Sequence, residues 1–159
     1  MSLSKSPLTV DLPGRSPLVL TDLVLDFTGT LSLDGGLLPG VAERLHEIAR
    51  RLRITVLTAD TFGKATEALK ELPVETRLVA TGLDKAHCVA RLGAEHVAAI
   101  GNGRNDVRMM RLAALSIAVI GPEGAAGELL AAAAVVVRDV REALDLILNP
   151  LRLKATLRD

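Results

Sequence analysis

Leu23-Val24-Leu25-Asp26-Phe27-Thr28-Gly29-Thr30-Leu31 is the stretch that decides the fold. A short, continuous aliphatic run ends here at an acid and a tight, small turn, which predicts a strand buried on both faces. Gly29 permits a backbone turn that a side chain would obstruct. Asp26 then lies at the rim of a sheet, where a carboxylate can attack phosphorus if a divalent cation screens the repulsion. Taken alone, Asp26 fits better as a strand-ending residue that caps a turn, so the role of nucleophile depends on the residues that accompany it.

The rest of the chain alternates strands with helices. Residues 8–12 and 18–20 flank Pro13-Gly14 and predict an N-terminal β-hairpin. Five further aliphatic strands follow, and the pattern predicts one three-layer, Rossmann-like α/β domain over residues 1–159 with a mainly parallel sheet. The predicted strands are 54–57, 77–80, 96–100, 117–120 and 135–137, and the predicted helices are 41–52, 61–72, 84–93, 105–113, one starting at 122, and 140–148.

Composition excludes several classes of function. Phe27 and Phe62 are the only aromatic residues, so the stacking platforms of single-stranded nucleic-acid binders are missing. Lys plus Arg and Asp plus Glu both number 19, which predicts no strong attraction to nucleic acid or anionic membranes. The longest apolar run, 129–137, is about half of a membrane span. With no signal-peptide pattern at the N-terminus and a lone Cys88, we expect a cytoplasmic protein without disulfides.

Two further residues stand where a phosphate would be held. Thr58 follows the aliphatic run 54–57 and precedes a helix, so its hydroxyl is a natural donor to a phosphate oxygen. Lys85 lies in the first turn of its predicted helix, where a cation works against the helix dipole, and a phosphate to neutralise would explain it. The alternatives are a plain helix-entry residue for Thr58 and a solvated surface lysine for Lys85.

The segment Gly101-Asn102-Gly103-Arg104-Asn105-Asp106 follows another strand. Oxygen ligands at the start of a helix would suit Mg²⁺. It is not the dinucleotide-binding fingerprint, because Asp106 stands where a third glycine belongs. A glycine-rich turn with a helix cap is the alternative. Because strands of such sheets carry ligands at their carboxyl ends, we expect Asp26, Thr58 and Asn102 to meet at one edge.

Together these groups resemble the haloacid dehalogenase superfamily of aspartate-nucleophile phosphohydrolases, over residues 26–139. Residues 25–31 are similar to its nucleophile motif, 57–60 to its second motif, 85–93 to its lysine motif and 101–106 to its acidic metal motif. The phosphorylation domain of P-type cation pumps is the most similar branch, with Phe27 replacing a Lys and Ala59 replacing a Gly. No membrane helices or nucleotide-binding insertion accompany the motifs, so the chain resembles a soluble, pump-like member.

The resemblance implies a role for each residue. Asp26 would be the nucleophile and a Mg²⁺ ligand, Thr28 would offer its backbone carbonyl to the metal, and Asn102 with Asp106 would complete the protein ligands. The implied catalytic residues are Asp26, Thr28, Thr58 and Lys85. The phosphate-binding residues are Thr58, Lys85, Phe27 and Thr28.

Two departures from the family pattern affect the expected activity. Phosphatases of the superfamily usually carry a second Asp where this chain has Thr28, and general acid–base help is worth about 10²–10⁴-fold, so slow hydrolysis is expected. Asn102 replaces a common metal-binding Asp, which predicts weaker metal affinity. Spacing leaves no room for an inserted lid, so we expect a capless, open site, compatible with large substrates or with a neighbouring subunit in a homo-oligomer.

The sequence therefore predicts a Mg²⁺-dependent phosphohydrolase or phosphotransferase whose phosphorylated substrate is unidentified. A catalytically weak domain that binds a phosphorylated ligand or a protein partner is the alternative, and Thr28 and Asn102 favour it. A response-regulator receiver fits poorly, because Asp22 and Asp26 do not form the adjacent acidic pair that such a domain requires.

Overall fold

Six parallel strands form the central sheet of the computed structural model, counted over the residues it describes, 5–60 and 63–159. The strands of this sheet are β3 (Asp22–Asp26), β6 (Arg53–Thr58), β7 (Glu75–Leu78), β8 (Val97–Gly101), β9 (Leu115–Val119) and β10 (Val135–Val137). Their order is β10-β9-β8-β3-β6-β7, so the chain leaves β3 in one direction and returns to its other side with β8. The predicted Rossmann-like α/β fold is confirmed.

Two small antiparallel ribbons accompany the sheet. β1 (Leu8–Val10) pairs with β2 (Leu18–Leu20), which confirms the N-terminal hairpin. β4 (Ser32–Leu33) pairs with β5 (Gly36–Leu37) immediately after residues 27–31, the loop that follows Asp26. This second ribbon is the whole of the extra structure between β3 and the first helix, so it leaves the carboxyl edge of the sheet accessible.

Helices cover both faces of the sheet because its strands are apolar on both sides. They are α1 (Val41–Ile48), α2 (Lys64–Leu69), α3 (Gly82–Leu92), α4 (Val107–Leu112), α5 (Gly127–Ala132), α6 (Val140–Leu148) and α7 (Pro150–Leu157). Leu23 and Leu25 of β3 pack with α1, α2, α6 and α7, while Val24 packs with α3, α4 and α5. This alternation turns Asp26 towards the α3–α4 face, where the remaining site residues lie.

Several helix boundaries differ from the sequence prediction. The helix expected from Pro122 begins instead at Gly127, because Gly121 and Gly124 adopt positive φ angles and form a turn. Thr81, rather than Asp84, is the N-cap of α3, with Asp84 completing a capping box. The predicted helix at 61–72 is described only from Lys64 to Leu69, and Thr61 and Phe62 lie outside the described residues. In the described part of the chain, no helix is long and apolar enough to cross a membrane.

Candidate active site

Asp26 ends β3 at the point where the strand order reverses, between β6 and β8. Its neighbours at the same edge are Thr58, the last residue of β6, and Asn102, which follows β8. A cleft of about 390 Å³ opens there, and Asp26, Thr58, Lys85 and Asn102 all line it. The structure thus brings together the strand-end residues that the sequence predicted to meet.

Lys85 is the centre of the site's charge network. Its Nζ lies 2.6 Å from Asp26 Oδ1 and 2.7 Å from Asp106 Oδ1, and all three side chains are buried. This explains a lysine in the first turn of α3, because two carboxylates compensate for the unfavourable helix dipole. Two carboxylates sharing one ammonium leave a buried charge of about −1, which favours the arrival of a cation.

The buried network shifts the protonation of Asp26. Burial, and after it the negative charge of Asp106, raises the pKa of Asp26 from 3.8 to about 6, although Lys85 and Thr30 act in the opposite direction. Burial alone would lower the pKa of Lys85, but the charges of Asp26 and Asp106 outweigh it and hold that pKa above its ordinary value. A perturbed carboxyl in a cleft is a mark of a functional site.

Asp106 lies behind the cleft and is not one of the residues that line it, as a metal ligand would be. It is fully buried, and its Oδ2 accepts hydrogen bonds from the backbone N–H groups of Asn102 (3.1 Å) and Gly103 (3.0 Å). Its Oδ1 is occupied by Lys85. Asp106 therefore positions Lys85 and the loop after β8, and its role as a metal ligand stays a prediction that would need one of these bonds to open.

Thr30 connects Asp26 to Asn102, a link that sequence reasoning missed. Its buried hydroxyl lies 3.1 Å from Asp26 Oδ2 and 3.0 Å from Asn102 Oδ1. Gly29 has φ +75°, and a Cβ there would come within 2.6 Å of Asn102 Nδ2, so the close approach of the two loops requires glycine. The sequence motif contains Thr30, but it does not show that Asn102, which follows the neighbouring strand β8, is the partner of its hydroxyl.

Thr58 keeps its hydroxyl proton available. Its Oγ1 accepts the backbone N–H of Asp60 at 3.1 Å, and a hydroxyl that accepts one hydrogen bond still has its own proton to donate. Asp60 caps the start of α2, because its carboxylate accepts hydrogen bonds from the backbone N–H groups of Ala65 and Thr66. Thr58 can therefore donate to a phosphate oxygen in the cleft.

Two residues of the loop that follows Asp26 differ in exposure. Thr28 is exposed and lines the cleft, whereas Phe27 is buried and packs its ring in the core. Only the backbone of Phe27 is therefore placed to act on a phosphate. Glu123 and Asn105 also line the cleft and were not predicted. The Gly-Pro-Glu-Gly sequence around Glu123 is a turn signal that could have placed it in a loop.

The model of the haloacid dehalogenase-like hydrolase family matches residues 51–143, and the chain belongs to that family. An uncharacterised protein of Methanocaldococcus jannaschii is 51% identical over 63 residues, which cover 40% of this chain and 68% of that protein.

Two solved structures share the fold. One is the 3-deoxy-D-manno-octulosonate 8-phosphate phosphatase of Moraxella catarrhalis in complex with magnesium ion, phosphate ion and its sugar acid, at a TM-score of 0.70 and 18% identity over 86% of this chain and 90% of that one. The other is the catalytic domain of the CPx-ATPase CopB-B, at a TM-score of 0.61 and 27% identity over 71% of this chain and 46% of that one.

Proposed function

We propose that this protein is a Mg²⁺-dependent phosphohydrolase that acts through an aspartyl phosphate on Asp26. The observation that carries the proposal is the cleft at the carboxyl edge of the sheet, where Asp26 lies beside Lys85 and Thr58. A carboxylate nucleophile, an ammonium and a hydroxyl donor are what transfer of a phosphoryl group to protein requires. The family supports hydrolysis in general, and the assignment of Asp26 rests on this geometry.

Three residues of the chain have different roles in the proposed reaction. Asp26 attacks the phosphorus while the hydroxyl of Thr58 donates to a phosphate oxygen. Lys85 holds the Asp26 carboxylate in place and adds positive charge beside the transferred group. Because Lys85 is already balanced by two carboxylates, it cannot alone neutralise an incoming phosphate dianion.

The residues fit a divalent cation of the Mg²⁺ type. Oxygen donors from Asp26, Thr28 and Asn102 line one cleft, and carboxylate and amide oxygens are the ligands that Mg²⁺ prefers. No cluster of three or more His, Cys, Asp or Glu ligands occurs within residues 5–60 and 63–159, so a metal held here would depend on few carboxylates and on the substrate phosphate. When bound, Mg²⁺ would screen the repulsion between Asp26 and the phosphoryl group.

The likeness to the CopB-B catalytic domain supports a pump-like branch of the family for this chain. Thr28 stands two residues after the nucleophile and cannot transfer a proton as a carboxyl group does, which would prolong the life of a phosphoenzyme. We therefore propose slow turnover of a phosphorylated substrate in an open, capless site that a second copy of the chain can cover.

The test is phosphate release from para-nitrophenyl phosphate or acetyl phosphate with Mg²⁺ and with EDTA. Wild-type protein should release phosphate only with Mg²⁺, and Asp26→Asn should abolish release. Asp22→Asn is the matched control, since Asp22 begins the same strand at the opposite edge of the sheet and contacts Arg53. Full activity in Asp26→Asn would show that the mechanism is wrong.

A binding module without turnover is the second candidate. The exposed Thr28 and the neutral Asn102 favour it, because both replace residues that carry charge in active phosphatases. Such a protein would bind vanadate or beryllium fluoride with Mg²⁺ at Asp26 and would release no phosphate from either substrate.

A further inference from the structure

Two clefts adjoin at residues 27–31, the loop after Asp26, which we call the nucleophile loop. The first, the nucleophile cleft, holds Asp26 and Lys85. The second, the outer cleft, has a volume of about 420 Å³ and is lined on its far side by Asp34, Asp60 and Lys64. Three residues line both clefts, and they are Thr28, Ala59 and Glu123. A group bound across the two clefts, or water entering from the outer one, must pass these three side chains.

The segment that carries Glu123 is tied to the site at both ends. We call it the β9–α5 loop, residues 120–126. A Cβ on Gly121 would lie 3.2 Å from the carbonyl oxygen of Gly29, so the loop closely approaches the nucleophile turn. Asn102 Nδ2 donates to the carbonyl of Gly124 at 3.1 Å, and the Ala126 N–H donates to the carbonyl of Asn102 at 2.9 Å. These bonds fix the loop on which Glu123 lines both clefts.

The same contacts give a reason for the amide at position 102. The side-chain N–H of Asn102 holds a carbonyl of the β9–α5 loop, whereas an aspartate there would place an oxygen against that carbonyl and repel it. The neutral side chain of Asn102 thus fixes the β9–α5 loop. That loop carries Glu123, whose carboxylate lines the same cleft.

Glu123 can supply the carboxyl group for general acid–base catalysis that Thr28 lacks. Of the three residues common to both clefts, only Glu123 carries a carboxyl group, the kind of side chain that serves as a general base. It is exposed to solvent and lines both clefts, so a water molecule in either cleft can reach its carboxyl group. The charged groups that face it are Asp26 and Lys85 from the nucleophile cleft and the three side chains of the outer cleft.

We propose that Glu123 is the general base that releases phosphate from Asp26. This inference rests on the proposed aspartyl-phosphate mechanism and adds its second step. A water molecule attacks the phosphorus and forms a new P–O bond, while its proton passes to the Glu123 carboxylate. The bond between phosphorus and Asp26 breaks with its electron pair on the Asp26 oxygen, which yields inorganic phosphate, the Asp26 carboxylate and a protonated Glu123.

The test separates formation of the phosphoenzyme from its breakdown. Para-nitrophenyl phosphate has a leaving group that needs no acid, so rapid mixing with Mg²⁺ reports phosphorylation of Asp26 as a burst of nitrophenolate and hydrolysis as the steady state. Glu123→Gln should keep a burst of about one nitrophenolate per protein and lose about 10²-fold in the steady-state rate. Hydroxylamine, which attacks without a base, should discharge the phosphoenzyme of wild type and Glu123→Gln equally fast.

Two variants serve as controls. Glu128→Gln removes the same charge from the start of α5, where Glu128 pairs with Arg104 and Arg111 outside the cleft, and it should behave like wild type. Glu123→Ala should regain hydrolysis when formate is added, because formate replaces the lost carboxylate.

Each remaining result overturns a defined part of the account. A Glu123→Gln protein with an unchanged steady-state rate, or one that has lost the burst as well, would overturn the role of Glu123 and leave Asp26 as the nucleophile. A wild-type protein that forms no phosphoenzyme would overturn the proposed function itself, and this inference with it.

Discussion

Replacing Asp26 by Asn should stabilise the metal-free protein at neutral and alkaline pH. The reason is the buried charge of the site, where Asp26 and Asp106 share the single ammonium of Lys85. Asn is close in shape to a protonated Asp and cannot ionise. The substitution therefore removes the charged form of Asp26, which the fold disfavours, and leaves Lys85 paired with Asp106.

The size and sign of the effect follow from the shifted pKa. Folding raises the pKa of Asp26 from 3.8 to about 6, so the folded protein holds a proton that the unfolded chain releases between these values. Stability is complete below the lower value and is lost as the pH rises through the upper one. At about 1.4 kcal/mol per pH unit the loss is about 3 kcal/mol, which Asp26→Asn avoids.

Urea denaturation in EDTA, followed by circular dichroism, measures this difference. The free energy of unfolding of Asp26→Asn should exceed that of wild type by about 3 kcal/mol at pH 8, and the difference should approach zero near pH 4. The exposed Asp11, 3.7 Å from Lys154, provides the control Asp11→Asn, which removes an acid outside the site and should leave the free energy of unfolding at pH 8 close to that of wild type. If the free energy of unfolding of Asp26→Asn at pH 8 were equal to or lower than that of wild type, the buried site would not carry the unbalanced negative charge described above.

Three further predictions concern the same network. Lys85→Met should lower the free energy of unfolding at pH 8 by about 3–5 kcal/mol, because it leaves two buried carboxylates without a counter-ion. Urea denaturation measures this loss, and Lys64→Met, which replaces an exposed lysine, should change the free energy of unfolding little. Mg²⁺ at about 100 times its dissociation constant should stabilise wild type by about 2.7 kcal/mol and Asp26→Asn much less, as thermal melts with and without EDTA will show. Asn102→Asp should speed hydrogen exchange in the segment around Gly124, since it breaks the bond between the Asn102 side chain and that carbonyl; unchanged exchange would contradict the tethering of this loop.

The position of the site at the carboxyl edge of the sheet could be predicted from the sequence. Asp26, Thr58 and Asn102 each follow a short aliphatic run, and in a parallel sheet all such runs end on one side. Strand alternation and a helix between strands are properties of local sequence, so the sheet and both helical layers were accessible to reasoning from periodicity. The family motifs then supplied roles for these residues.

The partners of each side chain could not be predicted in the same way. Nothing near Lys85 in the sequence indicates that its ammonium bridges Asp26 and Asp106, because these contacts span 59 and 21 residues. The burial of Asp106 behind the cleft likewise depends on how the loop after β8 wraps around its carboxylate. Glu123 was assigned to a helix start, although the glycines around it could have indicated a loop. No local signal shows that Asn102 holds this loop at the cleft.

Chemical trapping of the phosphoenzyme tests the central claim most directly. Protein incubated with acetyl phosphate and Mg²⁺, quenched in acid and analysed by peptide mass spectrometry should carry one phosphoryl group on the peptide that contains Asp26. Hydroxylamine should remove it, and Asp26→Asn should carry none. Release of phosphate by the wild-type protein with no phosphoryl group on Asp26, or an equal level of modification in Asp26→Asn, would contradict the account.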